Sequence, residues 1–559
     1  MIVLGVSDPR DRDSAAAILV GGHLAGAVEA PRLNADAHPY EPAPAGTIAW
    51  CLDQAGCALE DVDAFAVGYD RPRSAGRRFL ARLGAHLGGH AGRPVADWAD
   101  RDRVELVERP LAQAASAFLV SPFEEANVIS LDTGGRGAGL LGVGRRSHLE
   151  VLEDVDGTRS WGEMYERFTV ALGFRPHGDE EKVAGLAAYG DPGDEPFPFI
   201  RADNGGLPTY DPRAMLEVLS EIRPRSTDEP PVNGYHEHVA ARLQLTLETA
   251  LARAAEVLHE RTGLRNLCLA GGVALNCSSN GRILELPFVD RLFVQPAAPG
   301  AATALGAALQ VHVERTGRRP EVRLDHAYWG PSYSNDEIER VLRHAKVPYR
   351  RSDSIAEDAA RLIAEGKVVG WFQGRTELGP RGLGARSILA DPRSTTTRDD
   401  VSREARVREP WRPFAPSILA ERMPEYFGTD HESQFMILAF PGTEVARRTI
   451  PAALHVDGSG HPQTVDREAN PPFRKLIEAF EALTGVPAVL NTSFNVDGEP
   501  AVCSPTDALR TFYASGIDAL AIGDFLLEKR TGFDPRSSRP RRGDDRKRTG
   551  RPRTSQRVR

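Results

Sequence analysis

The sequence predicts an α/β fold built on a duplication, followed by a second part of mixed α and β character. Three observations carry this. A strand, an acid-bearing turn and a hairpin occur at the start and recur around Asp132; a helix, strand and double glycine follow over 236–276; a glycine- and arginine-rich cluster lies beyond an Arg/Gly/Pro linker at 315–320. A chain of 559 residues is too long for one hydrophobic core.

Residues 1–6 form an apolar run, 14–20 another, and Gly21-Gly22 is a two-residue turn from which 23–29 returns as a third strand. The pattern repeats where 127–131 runs into Asp132-Thr133-Gly134-Gly135 and the glycine-rich apolar stretch 138–143. A small acid-bearing turn between strands can set a carboxylate and backbone amides against a nucleotide phosphate. Val239, Leu243, Leu247, Leu251 and Leu258 mark a helix closed by Thr262-Gly263, and the strand 267–270 leads into Gly271-Gly272-Val273-Ala274-Leu275-Asn276. Paired glycines let backbone approach a phosphate or adenosine that Asn276 can hydrogen-bond, or they make a tight turn packing helix on sheet. The expected domains are 1–319 and 320–535, with a tail at 536–559.

Composition narrows the function classes. Hydrophobic residues at 41% and charged residues at 26% exclude general disorder, and no apolar stretch is long enough to span a membrane. The first eight residues have no basic segment and read as a strand rather than a signal peptide, so a cytoplasmic protein is expected. Five cysteines without paired close spacing read as reduced, buried thiols. The net charge of -9 hides an asymmetry: the tail carries eleven Lys or Arg against Asp544 and Asp545, so the body is distinctly acidic. Such a tail reads as a disordered, solubilising end, and no basic face with interleaved aromatics points to nucleic acid.

The densest cluster of unusual residues follows the strand 368–372. The segment 373–387, QGRTELGPRGLGARS, sets Arg375, Arg381 and Arg386 among glycines, and Arg406, Arg408 and Arg412 come soon after. Glycine gives close backbone approach and arginine gives planar donors, a combination suited to an anion; surface pairing with Glu377, Glu404 or Glu409 explains only some of these arginines. Later, the strand 488–490 enters Asn491-Thr492-Ser493-Phe494-Asn495, whose short polar side chains can coordinate a nucleotide or cap a helix.

Together these segments resemble the O-carbamoyltransferase family of nodulation and antibiotic biosynthesis, whose members include tobramycin and cephem carbamoyltransferases. The resemblance covers nearly everything up to about Lys529. It rests on Glu29 with Arg32 and His38, on 114–118, on Ser130-Leu131-Asp132, on DEEKVAGLAAYG at 179–190, and on 269–277, 370–393, 408–416, 455–458 and 485–505. It implies an actin-like N-terminal domain similar to the threonylcarbamoyl-transfer fold and an α+β, YrdC-like C-terminal domain. It also implies that carbamoyl phosphate and ATP, with magnesium accompanying the nucleotide, become carbamoyl adenylate in the C-terminal domain. The N-terminal domain then moves the carbamoyl group to a small-molecule hydroxyl or amine. Arg381, Arg406 and Arg412 are expected to stabilise phosphoryl charge, and Asn491 and Ser493 to hold the α-phosphate or carbamate. Gly271, Gly272, Asn276, Arg386 and Lys182 are expected at the nucleotide, with Glu181 and Lys182 also able to orient the acceptor. His455 is expected either at the adenylate or in the core.

Departures from the family fall on the N-terminal chemistry. The resemblance implies a divalent metal held by two histidines of HHLAHAASAF, the aspartate of SLD and the aspartate of QPAAGDAGTALGAA. Here Arg109 and Gln113 stand at the histidine positions and Gly300 at the second aspartate, leaving Asp132. One carboxylate does not hold a transition metal, so no metal is expected, and Arg109 is expected to place its guanidinium where the cation would sit, paired with Asp132. Arg406 stands where relatives carry lysine, Arg12 where they carry histidine, Asp36-Ala37 in place of a basic pair before His38, and His461 in place of arginine. Two further readings remain: a partly degenerate paralogue that forms the adenylate or scaffolds an intact carbamoyltransferase, with that intact paralogue or a second copy of itself (a homodimer) as partner, and a nucleic-acid modifier, which the acidic body disfavours.

Overall fold

The computed structural model describes residues 1–8, 13–33, 44–69, 103–132, 138–155, 160–201, 207–226, 229–297, 299–403, 409, 411–496 and 498–529. The first sheet contains β1 (Ile2–Val6), β2 (Ala15–Val20), β3 (His23–Glu29), β4 (Ala64–Tyr69) and β5 (Val104–Glu108), in the order β3-β2-β1-β4-β5. The second contains β6 (Glu125–Leu131), β7 (Gly139–Arg145) and β8 (His148–Val155). After a small ribbon of β9 (Ile200–Arg201) and β10 (Thr209–Tyr210), it is completed by β11 (Asn266–Ala270) and β12 (Arg291–Val294). Read from its far edge, its order is β8-β7-β6-β11-β12, which repeats the first sheet strand for strand. In both sheets the first three strands are antiparallel and the last two run parallel to the first. The duplication expected from the sequence is therefore present in the pairing itself.

Two helices, Arg109–Phe118 and Pro299–Thr316, pack on the sheets and on each other. Their alanine-rich faces permit an unusually close approach: a Cβ on Gly306 would lie 1.6 Å from the Ala112 carbonyl oxygen, and one on Gly5 of β1 would lie 2.0 Å from that of Ala304. The long helix His236–Thr262 ends, as the spacing predicts, at Gly263, whose φ of 70° lies in the left-handed region.

The C-terminal half is built on an eight-stranded mixed sheet. Its strands are β13 (Arg350–Arg351), β14 (Val369–Phe372), β15 (Arg386–Ala390), β16 (Ala415–Leu419), β19 (Gln463–Val465), β20 (Ala488–Ser493), β21 (Ala519–Ile522) and β22 (Phe525–Glu528). β17 (Phe440–Pro441) and β18 (Ser459–Gly460) form a separate ribbon. The order β13-β22-β21-β14-β15-β20-β16-β19 puts β20 between β15 and β16, so Asn491 is held by ladders on both sides, opposite Leu389 and Ala415.

The halves share a core, with one apolar cluster running from Val3 to Leu526. They are also clasped by polar contacts. Arg375 donates to the carbonyls of Ala25, Trp329 and Gly330. Glu29 accepts from the Gly379 N–H at 3.1 Å, while Arg32, paired with Glu29 at 2.9 Å, donates to the Gly379 carbonyl. Among the described residues no helix is long and apolar enough to cross a membrane.

Candidate active site

In the N-terminal half the strand end of β6 presents Asp132 to the first turn of the helix Arg109–Phe118. Arg109 Nε and Gln113 Nε2 both donate to Asp132 Oδ2, at 3.0 and 2.8 Å. Gly300 donates to Asp13 Oδ2 at 2.7 Å, and Asp13 faces both Arg109 and Asp132 electrostatically. Desolvation raises the Asp13 carboxyl above its ordinary range, against the lowering by the Gly300 N–H and Arg109. The four positions singled out by the sequence, Arg109, Gln113, Asp132 and Gly300, thus converge, and Arg109 pairs with Asp132 as expected. Among the described residues the donor set here is two carboxylates, Asp13 and Asp132, with one Asp132 oxygen engaged by a guanidinium and an amide and Gly300 offering only backbone, short of the three or four ligands of a transition-metal site. Among the described residues no group of three or more His, Cys, Asp or Glu can hold a metal ion.

The double glycine explains itself by close approach. Gly271 has φ 84°, and a Cβ there would lie 2.2 Å from the Leu131 carbonyl oxygen; one on Gly272 would lie 2.9 Å from Asp132 Oδ1. These glycines let the turn after β11 press against the end of β6.

In the C-terminal half, Pro380, Arg381, Gly382, Ala415, Met436, His461, Asn491, Thr492 and Ser493 surround a slot of about 10 Å³. Met436 holds φ at 59°, an uncommon conformation for a side-chain-bearing residue. The helix Cys277–Leu284 of the N-terminal half packs here: Cys277 Sγ donates to the Met436 carbonyl at 3.4 Å and accepts from Arg381 Nη2 at 3.5 Å.

Beside the slot, Glu181 reaches across from the helix Glu180–Ala187. One of its oxygens pairs with Arg412 and the other lies 3.5 Å from Arg381 Nη1. Arg412 also meets Glu409 at 3.4 Å. Lys182, next along the helix, pairs with Glu409 at 2.7 Å and Asp179 at 3.2 Å. Burial disfavours its charge, yet the two carboxylates hold the ammonium above its ordinary range. Lys182, Asp179 and Glu409 line a cleft of about 520 Å³ walled by Phe174 and Trp411.

The structure therefore brings Arg381, Asn491 and Ser493 to one slot, with Arg412 joined to Arg381 through Glu181, and places Lys182 in the neighbouring cleft. It corrects two expectations. Arg386 is buried and spends its guanidinium on the carbonyls of Pro331, Gln373, Gly374 and Ala385, stacked 3.6 Å over Phe372, so it pins the glycine-rich loop instead of facing a nucleotide. Asn276 caps the helix Cys277–Leu284 by accepting from Ser279 N–H, and it exchanges two hydrogen bonds with Gln244, so its amide is committed within the protein. The His455 side chain is buried with neither ring nitrogen hydrogen-bonded, Asp457 lying 3.9 Å from Nδ1, and burial lowers its pKa. Arg406, Arg408, Arg12, Asp36, Ala37, His38 and the 536–559 tail lie outside the described residues. Sequence reasoning missed Asp13, whose only signal was its place in the acidic turn before β2.

Comparison with known proteins agrees with this two-part construction. The family "Carbamoyltransferase N-terminus" matches residues 92–309 and "Carbamoyltransferase C-terminus" matches 360–529. The chain is 38% identical over 543 residues to Nodulation protein NolNO of Sinorhizobium fredii, covering 93% of this chain and 79% of that one. It is 40% identical over 429 residues to Nodulation protein NolO of Bradyrhizobium diazoefficiens, covering 75% and 78%. To 3'-hydroxymethylcephem-O-carbamoyltransferase of Amycolatopsis lactamdurans it is 33% identical over 266 residues, covering 48% and 49%. With both family segments in order along one chain and relatives matched over more than two thirds of their length, this protein belongs to the carbamoyltransferase family and is a transferase.

Proposed function

We propose that the chain makes carbamoyl adenylate from carbamoyl phosphate and ATP in a YrdC-like C-terminal domain (320–535), and passes the carbamoyl group to a hydroxyl or amine of a small natural-product precursor in an actin-like N-terminal domain (1–319). The observation that carries this is the meeting of Arg381, Asn491 and Ser493 at one slot with Arg412 beside it. In balanced form, water and carbamoyl phosphate give carbamate and inorganic phosphate. A carbamate oxygen then attacks the α-phosphorus of ATP as pyrophosphate leaves. The acceptor oxygen or nitrogen finally attacks the carbamoyl carbon, losing its proton as AMP departs. Arg381 and Arg412 supply fixed positive charge where phosphoryl oxygens gain negative charge. Magnesium would accompany the nucleotide, and the reading needs no transition metal, because Arg109 supplies the positive charge beside Asp132. A soluble cytoplasmic setting suits such substrates.

The test is carbamoyl-phosphate-dependent ATP–pyrophosphate exchange. Arg381→Ala abolishes exchange and Asp132→Ala spares it; the reverse result refutes the assignment of halves. A second reading is favoured by one observation, the engagement of Asp132 by Arg109 and Gln113. On it the N-terminal half transfers nothing, and the chain forms the adenylate for, or scaffolds, an intact paralogue. Exchange without transfer to any acceptor would select that reading.

A further inference from the structure

Arg381 lines the slot, yet its side chain is weakly held. Its Nη1 lies 3.5 Å from Glu181 and its Nη2 3.5 Å from Cys277 Sγ, and its buried Nε has no hydrogen-bond partner. The aim of the guanidinium is therefore set by the backbone that carries it. On one side that backbone is gripped at Gly379 by Glu29 and Arg32. On the other side the grip is Glu377, which is 2% exposed. A single oxygen, Glu377 Oε1, accepts from the backbone N–H groups of Leu383, Ala385 and Arg386 at 2.8, 2.8 and 2.9 Å. Amides converging on one point form an anion-binding concavity, and here a carboxylate of the same segment fills it. The carbonyls of that turn are met from other elements. Tyr328, which pairs with Glu377 in an isolated β-bridge, gives its hydroxyl proton to the Leu383 carbonyl at 2.7 Å, and Gln463 donates to the same carbonyl at 2.8 Å. Trp371 and Asn470 donate to the Gly384 carbonyl at 2.9 and 3.0 Å. Glu377 Oε2 stays buried without a partner, a cost that the three bonds to the other oxygen offset.

We infer that Glu377 is a positioning residue of the slot: with Tyr328 as its counterpart on the carbonyl side, its carboxylate holds 382–386 in the turn that fixes where Arg381 points and where Gly382 stands. Glu377 is set apart from the residues that surround the slot, so it acts through the backbone and not on the ligand. This rests on the proposed function and deepens it by naming what aims the arginine. The charge matters as well as the oxygen. Hydrogen bonds to an ionised acceptor are about twice as strong as neutral ones, and Glu377 also offsets the buried charge of Arg386. An amide in its place would offer one neutral oxygen to three N–H groups and add two donors where Arg386 already supplies donors alone.

The experiment measures pyrophosphate affinity of the full chain by calorimetry, with cooperative melting showing that each variant is folded. Glu377→Gln is expected to weaken binding about tenfold, the factor of one net hydrogen bond lost from the turn. In the Arg381→Lys background, where a flexible stem reaches the anion without a fixed loop, the same substitution is expected to cost about twofold or less. A role that is structural only would cost the same factor in both backgrounds, and that result overturns the inference. Unchanged affinity in folded Glu377→Gln overturns it too. Tyr328→Phe, which removes one donor from the Leu383 carbonyl and keeps the ring, decides the matter if Glu377→Gln does not fold. It is expected to weaken binding about threefold beside Arg381 and to have no effect in the Arg381→Lys background; equal effects in the two backgrounds overturn the inference. If Arg381→Ala leaves pyrophosphate affinity unchanged, the slot itself is misassigned and the proposed function falls, whatever Glu377 does.

Discussion

Glu181 offers the sharpest electrostatic test of the C-terminal site. Its carboxylate sits on the two guanidiniums, Arg381 and Arg412, to which the proposed function assigns the anionic ligand, so on that reading the ligand competes with it. Two unit charges about 4 Å apart interact by about 4 kcal/mol at an effective dielectric of 20. That figure must be discounted, because Glu181 is 43% exposed although Arg412 is only 7% exposed. Exposed pairs are worth about 0.2–1 kcal/mol each, so releasing both comes to about 0.4–2 kcal/mol, toward the upper end because Arg412 is buried. Glu181→Gln keeps the size and removes the charge. Its pyrophosphate affinity, measured by calorimetry, is expected to rise about tenfold, which corresponds to about 1.4 kcal/mol. The gain should shrink in high salt as the partly exposed charges are screened. Unchanged or weaker binding would refute the competition and make Glu181 a positive part of the anion site.

Three other outcomes follow from the packing. Gly306→Val drives two methyls and a Cβ into the Ala112 carbonyl across the central helix pair, and is expected to lower the melting temperature sharply, by more than the typical overpacking cost of about 1–3 kcal/mol. Asn276→Ala removes a helix cap and is expected to cost about 1 kcal/mol in denaturant unfolding while leaving nucleotide affinity within error; a large affinity loss would restore Asn276 as a ligand. His455, beside Asp457 and Arg398, resists protonation because it is buried, so the unfolded chain takes up a proton that the folded chain refuses as pH falls below about 6.5. Stability should therefore drop on acidification through that window, and the drop should be shallower in His455→Leu. Asp13 and Glu29, whose carboxyls are raised by burial, act with the opposite sign, so the slope is read as the difference between wild type and His455→Leu, in which their contribution cancels.

The sequence made the duplication legible because it repeats a local signal: apolar strand, acid-bearing turn, hairpin. Pairing order then follows from that signal twice over. The Arg109–Asp132 contact was legible for a different reason, since two ligand positions and a charge changed together. What could not be read was the partition of the arginines. Arg375, Arg381 and Arg386 share one glycine-rich segment, yet only Arg381 lines the slot, because the other two donate to carbonyls at 329–331 and 373–374 that only the tertiary fold brings within reach. Asn276 was ambiguous in principle: a short polar residue before a helix has the chemistry of a cap and of a ligand alike. Glu181 carries no local sign of its partners, which come from the other half of the chain.

The same contacts give a physical reason for joining the two halves in one polypeptide. Arg381 does useful work only if its loop is held still, and that loop is gripped at Gly379, two residues before it. The grip comes from Glu29 and Arg32 at the end of β3, both nearly excluded from solvent. Gly379 has φ 102°, and a Cβ there would lie 2.3 Å from the Pro296 carbonyl, so the loop can be seated only where the N-terminal half leaves that space. Pro296 in turn belongs to the turn that brings Gly300 to Asp13. The loop carrying Arg381 and the turn bordering the Asp132 cluster are thus two sides of one buried contact. A shift at either site is felt as a change in backbone fit at the other, because carbonyls at van der Waals distance cannot slide past one another without cost.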